Sequence, residues 1–580
     1  MTDRAVGADT DATDTNDVDT SPANAGVDGS GDVTTATAPV EFTHRQIMII
    51  LSGLILGMLL AALDQTIVST AIRTISDDLN GYALQVWATT AYLITATLAT
   101  PLYGKLSDMY GRKPFYILAI SIFLVGSLLC TTAQTMYELA AFRAVQGLGA
   151  GGLMSLALAI MGDIVSPRDR ARYQGYFLAS FGLASVIGPV LGGMFAGQDE
   201  ILGISGWRWV FLVNLPVGLV ALAVVTKVLH LPPRRAASLR IDWWGTALLA
   251  VGIVPVLVVA EQGREWGWTE PRSLACYVIG AVGIAAFIAV ERWMGDDALI
   301  PLRVFRNATF ALGIVISVAV GAGMFGGIAL IPQYLQVARG SSPTLAGMQM
   351  LPSVLGMMIG SIGSGLVIAR TGRYRIFPLA GLALAALGMF LLHFVDVDTD
   401  MWIVMAFMLV LGLGLGNVMS PMMLAMQNAL PPRDMGVSTS TATFFRQIGG
   451  TLGIAAFLSV LFAQLAPNIE DELRASAQNP DFRQAIVAGA HSTNEADQAL
   501  ASGLMNHDMS AASGVLEDSS IVQQLSATLA RPFQVGFADA ISTVFLVVAI
   551  VLAIGAALVL FWKEIPLRTG SGLAEAELAG

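Results

Sequence analysis

The chain has 580 residues, 55% of them hydrophobic and 13% charged, with a mean hydropathy of +0.68. No soluble domain hides that much apolar surface, so the composition excludes a soluble globular chain and points to a polytopic helical membrane protein. The net charge of −11 is no sign of nucleic-acid binding, because the acids concentrate in two polar segments.

Residues 1–45 are rich in Asp, Thr, Ala and Gly and read as a disordered acidic tail. The tail has no basic n-region, so the first apolar run is expected to stay as a helix and not to be cleaved as a signal peptide. Fourteen apolar runs follow, each long enough to cross about 30 Å of hydrocarbon. The first six lie near 46–72, 83–103, 114–133, 137–160, 174–196 and 208–228. Two more lie near 243–261 and 272–291, and the last six near 309–335, 346–369, 376–394, 401–425, 438–465 and 536–562. The organisation predicted is a six-helix bundle over 46–228, a linker with two inserted helices over 229–292, a second six-helix bundle over 293–568, and a tail over 569–580. Cys130 and Cys276 both fall inside apolar runs and support neither a disulfide framework nor a metal site.

Basic residues set the orientation. With the N-terminus inside, the cytoplasmic loops hold Lys105, Arg112 and Lys113; Arg168, Arg170 and Arg172; Arg234, Arg235 and Arg240; Arg303 and Arg306; and Arg370, Arg373 and Arg375. Both termini are then cytoplasmic. The polar stretch 466–535 falls outside, between the last two runs, and reads as a solvated loop. Within it Ile469–Ala477 and Val522–Leu529 could form short amphipathic helices. His491 and His507 are isolated, which speaks against a metal site.

One short loop occurs twice. Gly104-Lys-Leu-Ser-Asp-Met-Tyr-Gly-Arg-Lys113 joins the second and third runs, and Gly365-Leu-Val-Ile-Ala-Arg-Thr-Gly-Arg-Tyr-Arg375 joins their counterparts in the second bundle. In each copy two glycines stand seven residues apart, and Arg follows the second. This is the internal symmetry of a transporter built from two related halves. Glycine permits a tight joint, and Asp108 can cap a helix N-terminus and pair with a nearby Arg. The copies differ where Asp108 aligns with Ala369.

The intramembrane polar residues are few. Asp64 in the first run is a carboxylate in hydrocarbon, the kind of residue that marks an ion pathway. Arg143 begins the fourth run and needs a counter-charge, for which Asp64 is the strong candidate in the first six runs; Gln146 lies on the same face. In the fifth run Pro189 removes a backbone hydrogen bond, and Gly188, Gly192 and Gly193 bare the face beside it, which suits a helix that rocks. Glu261 and Glu291 sit near run ends and read as interfacial. Arg446 stands at membrane level in the thirteenth run, with a substrate carboxylate, or backbone carbonyls and Gln447, as alternative partners. Tyr92, Gln146, Asn417, Arg446 and Gln447 are the candidate cavity residues. Methionines 324, 350, 357, 358, 405, 408, 419, 422, 423 and 426 offer a soft apolar surface, and for most of them ordinary core filling is the simpler role.

These residues resemble the major facilitator superfamily in its fourteen-helix drug/proton antiporter branch. The Gly104–Lys113 loop matches that family's signature loop, Arg143–Gly149 its fourth-helix motif, Gly188-Pro189 with Gly192-Gly193 its fifth-helix antiporter motif, and Asp64 the acid of its first-helix motif. Further matches are Trp207–Pro216, Asp242-Trp-Trp-Gly245, Ile300–Asn307, Tyr334–Pro343 and Phe445-Arg-Gln-Ile-Gly-Gly450. Arg73 stands where the family's first-helix motif usually ends in proline.

The resemblance implies an all-α major facilitator fold and proton-coupled efflux of amphipathic small molecules, as in multidrug or antibiotic export, by alternating access. Asp64 and Arg143 would couple the proton. Gly104, Asp108, Gly111, Arg112, Lys113, Gly188, Pro189, Gly192 and Gly193 would gate. An alternative is a dedicated exporter of one metabolite, lipid or siderophore; another, of a different class, is a transport-inactive scaffold acting through the outer loop. No nucleotide-binding loop, nucleophile constellation or metal cluster is seen in the sequence, so no enzyme activity, metal or cofactor beyond a proton gradient is expected. The expected partners are a small-molecule substrate, protons and the lipid bilayer of a bacterial plasma membrane, with no nucleic acid and with a partner protein left open.

Overall fold

The computed structural model describes residues 43–79, 81, 84–229, 241–505 and 520–568. The acidic tail up to 42, the basic linker with Arg234, Arg235 and Arg240, His507 and the tail 569–580 lie outside the described residues.

The first half comprises α1 (His44–Asp78), α2 (Gln85–Tyr110), α3 (Arg112–Thr132), α4 (Met136–Ile164), α5 (Pro167–Ala196) and α6 (Asn214–Val228). The inserted pair is α7 (Trp243–Trp266) and α8 (Pro271–Met294). The second half comprises α9 (Ala308–Gln333), α10 (Leu351–Thr371), α11 (Ile376–Leu392), α12 (Met401–Ala429), α13 (Met435–Ser476) and α14 (Ala527–Val559). Twelve of the helices are long and apolar enough in themselves to cross a membrane; α11, with 17 residues, and α2, which carries Lys105 and Asp108, are the other two.

Local chemistry starts several of these helices. Thr43 caps α1 in a reciprocal box with Gln46. Thr135 caps α4, Asn307 caps α9 and Asp400 caps α12. Asp242 caps α7 by accepting from Gly245 N–H at 2.6 Å, which gives the Asp-Trp-Trp-Gly sequence its structural purpose.

The packing repeats with an offset of eight helices. In the first half α1 packs on α5 and α6, α2 on α4, and α3 on α4 and α6; in the second half α9 packs on α13 and α14, α10 on α12, and α11 on α12 and α14. The contacts between halves obey the same two-fold relation, α5 against α10 and α2 against α13. The repeated loop also repeats in backbone form. Gly111 (φ 97°) is the single joint between α2 and α3, and Gly372 (φ 71°) ends α10; both conformations exclude most side chains.

The inserted pair rests on the α2–α13 seam. Leu249 of α7, Phe287 of α8 and Phe444 of α13 form a small core with Leu299 and Ile300. Glu291, expected at an interface, is instead buried and accepts from Ile300 N–H at 3.0 Å, which fastens the connecting segment to α8.

Residues 466–535 differ most from expectation. They are not simply a solvated loop. Helix α13 runs on through Ile469 to Ser476, and α14 begins at Ala527, nine residues before the last apolar run. Helix Pro480–Ala490 packs on Glu495–Met505 and on the start of α14, and Ile469, Leu473, Phe482, Leu500, Val522, Leu525 and Leu529 are buried there. The described part is a small helical cap whose buried residues continue the core of the bundle. The helices expected at Ile469–Ala477 and Val522–Leu529 are largely present, as the end of α13 and as Ser520–Gln524 with the start of α14; Pro480–Ala490 and Glu495–Met505 were missed because they are alanine-rich and their apolar residues are sparse.

Candidate functional site

The end of the bundle that carries Gly111 is sealed by a charge network. Helices α2 and α13 approach so closely there that a Cβ on Gly104 would collide with Ser440 and lie 2.7 Å from Gly436 O. Asp108, one turn further along α2, accepts from the N–H groups of Gly436 (3.0 Å) and Val437 (2.8 Å) in the first turn of α13. Those N–H groups have no partner within their own helix, and the helix dipole favours a carboxylate beside them. Arg112 holds Asp108 at 2.6 Å and Asp163, at the end of α4, at 2.8 Å. Lys105 donates to Asp296 O at 2.6 Å and Lys113 to Thr226 O at 2.7 Å, so the loop is also tied to the inserted pair's exit and to α6. Beside this latch Arg303 grips Asp434 with both terminal nitrogens (2.8 and 2.9 Å). The Asp434 carboxylate raises the already high pKa of Arg303, whose hydrogen bonds to it outweigh partial desolvation.

A second tie joins the halves at the same end. Arg170 of α5 is buried, donates to Gln427 of α12 at 3.1 Å and to Val165 O at 2.9 Å, and also reaches Gly162 O. Gln427 in turn donates to Thr439 at 2.9 Å. Asp163 and Gln427 were not singled out in the sequence. An acid in the last turn of the fourth apolar run was the available signal for the first; no local signal marks the second.

Half-way up the first half sits Asp64, with no exposure at all. Its Oδ2 lies 2.5 Å from Arg143 Nη1, and its Oδ1 accepts from Gln146 (2.7 Å) and from Asn214 (2.7 Å). Ser127 accepts from both amides, at 2.7 and 3.1 Å. Arg143 also donates to Gln146 Oε1 and to Ala88 O, and its guanidinium stacks on Tyr92 with 4.1 Å to the ring centroid. Helices α1, α2, α3, α4 and α6 thus converge on one carboxylate. The Asp64–Arg143 pairing expected from the sequence is formed. Asn214 and Ser127 were missed, although Asn214 belongs to the Trp207–Pro216 motif and is a lone amide in an apolar run.

Helix α5 lies against this station. A Cβ on Gly188 would collide with Thr66 of α1, and one on Gly192 would lie 2.9 Å from Ile67 O. Thr66 donates across the gap to Ala184 O at 3.0 Å. Pro189 sits within α5 between these contacts. Gly193, grouped with them on sequence, faces open space and takes no part in the α1 contact.

Between the halves lies a central cavity. Tyr92, Arg446 and Gln447 line it, as do Gln65, Gln174 and Glu261. Gln146 and Asn417 are not among its lining residues: the first is absorbed by the Asp64 network, and the second bonds Leu413 O within α12 and faces α10 and α11. Of the methionines named above, Met324, Met357, Met419 and Met423 line the cavity. Glu261, expected at an interface, reaches it from α7, so an inserted helix supplies part of its wall. Tyr92 separates the cavity from the Arg143–Asp64 pair.

The comparisons agree with this geometry. The family model described as Major Facilitator Superfamily matches residues 54–454. The chain is 35% identical over 527 residues to the multidrug transporter protein MdtP of Bacillus subtilis (strain 168), covering 90% of this chain and 93% of that one. It is 36% identical over 409 residues to multidrug resistance protein 3 of the same organism, covering 70% and 78%. Among solved structures, the proton:xylose symporter XylE matches with a TM-score of 0.54 at 14% identity, over 93% of this chain and 100% of that one, a likeness of fold. The chain therefore belongs to the major facilitator superfamily and is a multi-pass membrane transporter.

Proposed function

We propose that this transporter exports amphipathic small molecules, drugs among them, in exchange for protons, by alternating access across a bacterial plasma membrane. The relatives named as a multidrug transporter and a multidrug resistance protein support efflux as the direction and drugs as the cargo. The basic loops put the Gly111 end in the cytoplasm, so the conformation with that end sealed is the outward-facing one.

The observation that carries the coupling is the Asp64–Arg143 pair, buried on both sides and closed off from the cavity by Tyr92. A carboxylate in such a place keeps its charge only while the cation and the amides stay on it. Helix α5 touches α1 within one turn of Asp64, so rocking of α5 strains the pair. When the pair parts, the carboxylate takes a proton; when it closes, the proton leaves. Alternation of the two states moves the proton inward and the cargo outward.

The test begins with a growth-inhibition panel on a deletion strain, with and without the complementing gene, to find a transported compound. Its transport is then followed in inverted vesicles with an imposed pH gradient. Asp64→Asn is expected to abolish gradient-driven transport while the protein stays folded and inserted. Transport at the wild-type rate by that variant removes Asp64 from the mechanism.

A further inference from the structure

Among the described residues the buried arginines are provided for, and the half-buried Arg446 is not. Arg112 has Asp108 and Asp163, Arg143 has Asp64, and Arg170 has Gln427 and two backbone carbonyls. Arg446 lines the central cavity from α13, and among the described residues its guanidinium makes no ion pair and no hydrogen bond. Its neighbour Gln447 is engaged, within 3.4 Å of Thr100 on the other half. A guanidinium stays protonated in a protein, and a charge at membrane depth without a counter-charge is costly.

The acids near the cavity do not answer that charge. Asp64 is sealed away and neutralised by Arg143. Glu261 lines the cavity and is engaged, and it makes no ion pair with Arg446. The opposite wall adds a second unmet need. Gln174 of α5 is only 4% exposed and lines the same cavity, and neither its Oε1 nor its Nε2 has a hydrogen-bond partner. A buried primary amide with both ends open is unusual in a folded protein and calls for a ligand. The remaining wall is aromatic and thioether surface, with Phe177, Phe181, Phe325, Met357 and Met423.

We propose that the cavity takes an amphipathic anion, a carboxylate or similar head on an apolar body, with Arg446 holding the head and Gln174 supplying a polar contact from the facing half. This names the cargo class of the export reading and rests on it for direction only; occupancy of the site does not depend on transport. A ligand held by both residues touches both halves at once, as a cargo that reports its presence to the gates must. The head can come from a free amphiphile or from an anionic lipid.

The test uses the full chain in phosphatidylcholine nanodiscs, with laurate and dodecyltrimethylammonium as tail-matched probes of opposite charge. The wild type is expected to bind laurate about tenfold or more tighter than the ammonium, the scale of a charged hydrogen-bonded contact. Arg446→Gln is expected to lose that preference, Arg446→Lys to keep part of it, and Gln174→Leu to weaken laurate several-fold while still favouring it over the ammonium. Thermal melting of each variant checks its fold, and the Lys and Leu variants carry the test if the Gln variant misfolds. Wild-type binding that favours the ammonium, or undiminished laurate binding by Arg446→Gln, overturns the proposal. Repeating the wild-type titration in phosphatidylglycerol nanodiscs separates the sources: competition that disappears in Arg446→Lys or Arg446→Gln assigns the site to a lipid head, and unaltered laurate binding assigns it to a free amphiphile. Asp64→Asn is expected to keep the laurate preference. If it also keeps gradient-driven transport, the coupling reading falls and the anion site stands.

Discussion

Asp108 of the first half and Gly436 of the second are joined by a hydrogen bond of 3.0 Å from the Gly436 N–H to the carboxylate, and Ala369, the counterpart of Asp108 in the repeat, has no side chain able to do the same. Of the two copies of the repeated loop, the first thus supplies a carboxylate latch and the second does not. The seal on that end is asymmetric although the helices around it are not.

Asp108→Ala is expected to lower transport about tenfold or more, because it frees two N–H groups of α13 and strips Arg112 of one of its two carboxylates. Ala369→Ser is expected to stay near wild type. Cysteine labelling at the Gly111 end reads the opening directly. Two equally mild variants would remove the latch from the mechanism.

Gly104→Ala should force α2 and α13 apart at Ser440 and Gly436, at a cost of about 1–3 kcal/mol in stability of the sealed state. Gly193→Ala meets open space and should melt within a degree or two of wild type. Thermal unfolding of the two variants in matched detergent checks this; equal destabilisation contradicts the packing.

Arg143→Ala leaves Asp64 in a buried site with amides but no cation, and should abolish the wild-type pH dependence of transport. Arg143→Lys keeps the charge and loses the planar fork and much of the stacking on Tyr92, so partial activity is expected. Transport measured across a pH series is the check, and a wild-type profile in the Ala variant shows that the two residues do not communicate.

Asn214→Leu removes one of the two amides on Asp64 Oδ1 while keeping the branched outline of the side chain. Transport should fall several-fold, with its pH profile displaced and the fold retained. The displacement matters: a residue that only packs would change the rate without moving the profile.

Much of this architecture could be read from the sequence. Length of apolar run fixes a membrane helix almost alone, and Gly111 and Gly372 stand where the backbone demands glycine, so the repeat betrayed the symmetry. Asp64 and Arg143 found each other on paper because charges in hydrocarbon have few choices. What stayed hidden was direction around each helix. A membrane helix is apolar on every side, so its pattern does not say that Gln146 is taken up by Asp64 and Asn417 by Leu413 O, leaving neither to the cavity. Glu261 and Glu291 stand near the ends of the inserted helices, yet one reaches the cavity and the other clamps Ile300, a difference made by tertiary packing. The Arg170–Gln427 tie spans 257 residues and has no local trace.

Helix α13 carries 42 residues without a break in its helical run, which at about 1.5 Å per residue makes a rod of roughly 63 Å. Its first turn receives Asp108, Arg446 stands about three turns further on, and its last turns carry Ile469 and Leu473 into the far cap. One helix therefore links latch, cavity and cap, and an antibody fragment that grips the cap is expected to change cysteine labelling at the Gly111 end without entering the cavity.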